Sequence, residues 1–145
     1  MSVIQLSNQG STPFERLLGH APDILHQWEA LELSFFKSTT FDADFLEQLR
    51  RALAFSNQCR YCMAKAGPPD ENLHERRLTE ALSFTNKFAI SHTSIGELEI
   101  NRLKEYFSDP EIVELIAFCS FISASQRLGA VLGLQDAASY HEEGV

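Results

Sequence analysis

Two cysteines three positions apart, directly after an amphipathic segment, constrain this chain more than anything else in it. The stretch runs from Phe45 to Ala66, FLEQLRRALAFSNQCRYCMAKA. Phe45, Leu46, Leu49, Ala52, Leu53 and Ser56 form one apolar or small face at helical spacing, with Gln48, Arg50 and Arg51 pointing elsewhere. Ser56-Asn57-Gln58 reads as a polar turn, and Cys59-Arg60-Tyr61-Cys62 as the start of a second helix. Side chains at i and i+3 share a helix face, with Cα atoms ~5–6 Å apart, inside the range of a disulfide. The pair can open and close with little backbone movement. Unpaired N–H groups at a helix start also favour thiolate over thiol.

The rest of the pattern is helical too. Thr12-Pro13-Phe14-Glu15 has the form of a capping box and opens a short helix ending near Gly19. Pro22 begins another, with Ile24, Leu25, Trp28, Leu31 and Phe35 on its inner face, and Ser38-Thr39-Thr40 breaks it. Asp42 is the predicted N-cap of the central helix. Gly67-Pro68-Pro69 stops the helix that carries the cysteines. Asp70 is predicted to cap the next, roughly Glu71 to Lys87, with Leu73, Leu78, Leu82 and Phe84 or Phe88 inward. After a turn at Ser91–Ser94, a helix to about Phe107 uses Leu98, Leu103 and Tyr106. Ser108-Asp109-Pro110-Glu111 opens the last long helix, Pro110 to about Leu134, apolar nearly all round and so expected to be buried in the domain or at a subunit contact. No strand alternation or repeat is visible. The expectation is an all-α fold of six or seven helices in one domain, residues 1–145, with 1–11 and 135–145 as loose arms.

Charge and composition exclude several functions. The formal net charge of -8 argues against a nucleic-acid surface. No run approaches ~20 uninterrupted apolar residues, so no membrane span is expected. The first residues lack a basic segment followed by an apolar one, so no secretory signal is expected and the cytoplasm is the predicted compartment. There a CxxC points to redox work or metal binding rather than a structural staple. A zinc site wants four ligands; the only other cysteine is Cys119, and His74 and His92 have no partner spacing, so neither metal nor cofactor is expected. Cys119 reads as core, Trp28 as core or interface, Tyr61 as packing, and His20, His26, His74, His92 and His141 as surface or structural residues.

Glu47 twelve positions before Cys59, the CRYC motif, and the C-terminal SDPEIVELIAFCSFISASQRLGAVLGL together resemble the AhpD-like (alkylhydroperoxidase D-like) branch of the carboxymuconolactone decarboxylase family. The resemblance runs from about Thr12 to Leu134, with Gln126-Arg127 where the family often has Asn-Arg. It implies an all-helical subunit assembled as a trimer or hexamer. It also implies a thiol peroxidase that reduces alkyl hydroperoxides through Cys59 and Cys62, with Glu47 as the third site residue, and is re-reduced by a dithiol partner such as a lipoylated protein. Decarboxylase activity is disfavoured, because the decarboxylases lack the CxxC. One departure stands out: the His usual four residues after the second cysteine is Ala66, and Tyr61 stands where some peroxidases have His. Lys65, His74 and His92 are the candidates to replace them, and Glu47 is expected to accept or relay a proton. Which cysteine attacks first stays open. A second reading also stays open: a helical oligomer that binds a small molecule or protein partner without peroxidase chemistry.

Overall fold

The computed structural model describes residues 2–71 and 74–136; Leu73, His141 and the tail beyond 136 lie outside them. Among the described residues seven α-helices follow one another: α1 Pro13–Leu18, α2 Pro22–Lys37, α3 Ala43–Ser56, α4 Arg60–Ala66, α5 Arg76–Ser91, α6 Glu97–Lys104 and α7 Asp109–Val131. There is no strand among the described residues.

Local capping sets three of the starts. Thr12 and Glu15 at α1, and Ser108 and Glu111 at α7, form reciprocal capping boxes, while Asp42 Oδ1 accepts from the Phe45 N–H at 2.7 Å to open α3. The predicted start of the fifth helix is corrected: it begins at Arg76, not Glu71. Asp70 does not cap it. Instead Asp70 accepts from Gln48 Nε2 at 2.8 Å, and its own N–H donates to Gln48 Oε1 at 2.9 Å. Gln48, expected to point outward, is thereby buried with both ends of its amide satisfied.

α3 sits at the centre, packed against α5, α7 and α4. Its Leu46, Leu49 and Leu53 meet Leu78, Ala81 and Phe84 of α5 and Leu115, Phe118 and Ile122 of α7. Each fully buried Leu of this kind stabilises the fold by roughly 1.5–3 kcal/mol. α2 docks through aromatic rings: Phe35 lies edge-on to Phe118 at 5.4 Å, and Trp28 lies 5.5 Å from Phe121. Arg77 closes the far end, its guanidinium 4.7 Å from the Phe107 ring centre and paired with Glu111. Cys119 is fully buried in this core beside Thr85, and burial pushes its thiol up to about 11.

A smaller core surrounds the CxxC. Cys59, Tyr61 and Cys62 pack with Leu17, Ala54 and Leu134, covered by Leu6, Phe14, Met63, Leu128 and Leu132. The first residues are tied into it rather than loose: the Val3 N–H donates to the Leu132 carbonyl at 2.8 Å, and Arg16 Nε donates to the Ser7 carbonyl at 2.8 Å.

The apolar faces are narrower than their spacing predicts. Ile24 and Leu31 on α2, Leu98 on α6, and Val113 and Val131 on α7 are exposed. By length and composition α7 could cross a membrane, with mean hydropathy 1.3 over its best window, yet it runs through the helical core and half of that window is covered. Periodicity names the residues that share a face; it does not say how much of the face a neighbour reaches.

Candidate functional site

The end of α3 delivers the first cysteine. The Gln58 N–H donates to the Phe55 carbonyl and the Cys59 N–H to the Ala54 carbonyl, both at 3.2 Å, a Schellman closure. Gln58 takes the left-handed conformation this closure demands, with φ 55°. Asn57 fixes the same corner against α7. Its amide donates to Ser123 Oγ at 3.1 Å and to Gln126 Oε1 at 3.0 Å, while its oxygen accepts from Arg127 Nε at 3.2 Å. Gln126 continues the chain of bonds, donating to the Arg50 carbonyl at 3.1 Å.

Cys59 is the N-cap of α4, and its Sγ accepts from the Cys62 N–H at 3.3 Å. The two sulfurs are joined as a disulfide, with Cα atoms 5.2 Å apart. They differ in access. Cys59 has no exposed surface, whereas Cys62 keeps 9% and forms part of a cavity wall. Gly129 helps to seal Cys59: a Cβ there would come within 3.3 Å of Cys59 Sγ. The lone glycine inside a long apolar helix was the sequence signal for this close approach.

The cavity, about 110 Å³, lies between α1, α2, α4 and α7. A single water needs roughly 10–15 Å³, so a small molecule of several heavy atoms fits. Phe14, Leu25, Trp28 and Ile122 supply apolar wall, and Glu15, Glu29, Glu32, Arg50 and Lys65 supply charge. Trp28 donates through its indole N–H to Ser125 Oγ at 2.8 Å. Among the described residues no histidine lines the cavity, so neither His74 nor His92 reaches it, while Lys65 does. Nor do any three His, Cys, Asp or Glu side chains among them gather as metal ligands.

Glu47 stands one step back. It is absent from the cavity wall, and its carboxylate instead grips Arg50, which is in the wall, at 2.7 and 2.9 Å, and Arg51 at 3.2 Å. Burial works to raise the Glu47 carboxyl, but the hydrogen bonds and charge of Arg50 and then Arg51 outweigh it and hold it below the usual carboxylate range. At neutral pH it is an ionised, doubly held group that positions Arg50. Sequence reasoning missed Arg50, because an arginine on a helix reads first as solvated surface.

No known family profile and no curated protein matches the sequence. Solved structures do resemble the fold. A peroxidase-related protein from Silicibacter sp. TM1040 superposes with a TM-score of 0.74 over 89% of this chain and 78% of its own, at 16% identity. The alkylhydroperoxidase AhpD core of a peroxidase-related protein from Ralstonia eutropha JMP134 gives 0.69, over 88% and 78%, at 20% identity. The chain therefore has the single-domain, all-α AhpD-like fold that its sequence predicts.

The Glu47 ion pairs carry a pH signature. A carboxyl held down in the folded state adds stability above its unfolded value near 4.5, and loses that contribution as pH falls through the lower folded value. Glu47→Gln is expected to lower the urea midpoint at pH 7, with the gap to wild type closing as pH drops below 4.5. A gap that does not change with pH would contradict the assignment.

Proposed function

We propose that this chain is a CxxC-dependent thiol peroxidase or disulfide reductase of the AhpD-like type, cycling Cys59 and Cys62 between dithiol and disulfide. The observation that carries this is the asymmetry of the bonded pair: one sulfur in the wall of a cavity, its partner sealed. In the reduced protein the Cys62 thiolate attacks the O–O bond, giving a sulfenic acid and an alcohol. Cys59 then displaces the sulfenic oxygen as water and closes the disulfide. Apolar wall beside Cys62 suits the carbon chain of an organic hydroperoxide. Re-reduction runs the same asymmetry backwards. An incoming dithiol, such as that of a lipoylated protein, attacks Cys62, and Cys59 leaves as a thiolate stabilised by the Cys62 N–H.

Thiol counting tests this. The reduced chain has three thiols, and mild peroxide should leave one, the buried Cys119. Cys59→Ser and Cys62→Ser should form no intramolecular disulfide. If wild type loses no thiol pair at any peroxide dose, redox catalysis is out, and the reading left is a helical scaffold binding a small molecule in the cavity.

Self-association as a trimer or hexamer belongs to the same proposal. Its support is exposed apolar surface on the last two helices, with Val113 68% and Val131 78% exposed on α7 and Leu98 80% exposed on α6. Sedimentation at micromolar concentration should give a mass several times 16.3 kDa. A compact monomer would refute it.

A further inference from the structure

Cys62 needs two things that its sulfur cannot supply: a positive charge to hold it as thiolate, and a proton for the oxygen that leaves. The cavity wall limits the candidates. Glu15 of α1 and Glu29 and Glu32 of α2 are carboxylates, which oppose a thiolate, and α7 brings only the uncharged Ile122, Ser125 and Gln126. Glu15 is in any case committed to the Ser11 and Thr12 N–H groups at 2.6 and 3.0 Å. Arg50 of α3 brings charge, but a guanidinium keeps its protons, and this one is gripped by Glu47. Among the described residues of the wall, Lys65 is the remaining cation. It lies one helical turn after Cys62 on α4, lines the same cavity, and sets its Nζ 5.8 Å from the centre of the Tyr61 ring. Side chains at i and i+3 share a helix face, and the ring under the ammonium restrains where it goes.

We propose that the Lys65 ammonium holds Cys62 as thiolate and hands a proton to the departing oxygen when a hydroperoxide is cleaved. The assignment deepens the peroxidase reading and rests on Cys62 as the attacking sulfur. The Cys62 thiolate forms an S–O bond as the O–O bond breaks, so sulfur is oxidised and peroxide reduced. The alkoxide that leaves takes its proton from Lys65 and departs as alcohol, and the neutral amine remains. When the Cys59 thiol attacks the sulfenic acid, the S–S bond forms, the S–O bond breaks, and hydroxide leaves as water with the Cys59 proton. Solvent then reprotonates the amine. Dithiol and hydroperoxide thus become disulfide, alcohol and water.

Two variants separate charge from proton. In reduced Cys59→Ser protein, the pH profile of iodoacetamide alkylation at Cys62, read by peptide mass, reports the thiolate without any peroxide. Adding Lys65→Met should move that profile up by ~0.5–1 pH unit, the size expected for a partly solvated charge one helical turn away. Lys65→Arg, which keeps the charge, should leave it in place. In the chain with both cysteines, peroxide-driven disulfide formation should slow about tenfold or more in both variants, since arginine cannot replace the proton donor. An unmoved alkylation profile in Lys65→Met overturns the thiolate role. A Lys65→Arg protein that reacts at the wild-type rate overturns proton transfer. Wild type that forms no disulfide with peroxide sinks the peroxidase reading and the proton step with it, while the alkylation profile still decides the thiolate role.

Discussion

The hydrogen bonds that end α3 also place the cysteine pair. The Schellman closure at Phe55–Cys59 turns the chain sharply enough for Cys59 to cap α4, and the Asn57 amide ties that corner to Ser123 and Gln126 on α7. Two helices and a turn are thereby locked to a third, and the sulfurs inherit their positions. The corner is polar and lies against the small core, so its bonds matter more than surface ones would: losing one leaves a partly buried amide without a partner, at roughly 1–3 kcal/mol. Gly129 adds the last constraint, letting α7 close over Cys59 while Cys62 keeps its edge on the cavity.

That asymmetry organises the proposed chemistry. A sealed sulfur is poorly placed to meet peroxide but well placed to resolve a neighbour one turn away. A backbone N–H aimed at it favours its departure as thiolate when the disulfide is reduced. The charges follow the same logic. Glu47 is spent on fixing Arg50, and the cavity places Lys65 on the same helix as the accessible cysteine. With no histidine in the cavity wall among the described residues, both the charge and the proton fall, in our proposal, to the Lys65 ammonium.

The local part of this was legible in the residues. Thr12 with Glu15, Ser108 with Glu111, and Asp42 announced three helix starts, because capping is a contact between near neighbours in sequence. The cysteine spacing gave the Cα separation for the same reason. What failed was whatever depends on a distant partner. Asp70 looked like a cap and was recruited by Gln48, twenty-two residues earlier. Ile24 and Leu31 shared a face with Phe35 but lay beyond the edge of what α7 covers. Glu47 is a different case: its partners Arg50 and Arg51 are near neighbours, but an arginine on a helix reads first as solvated surface. Nothing in the cysteine spacing could say which sulfur would be sealed, since α7 and the residues before α1 decide that.

The direct test is to catch the oxidised sulfur. Reduced Cys59→Ser and Cys62→Ser proteins are each given one equivalent of an organic hydroperoxide in the presence of a 1,3-dione that traps sulfenic acid, and the adduct is located by peptide mass. The account predicts an adduct on Cys62 in the first protein and none on Cys59 in the second. An adduct on Cys59, or none in either protein, would contradict it.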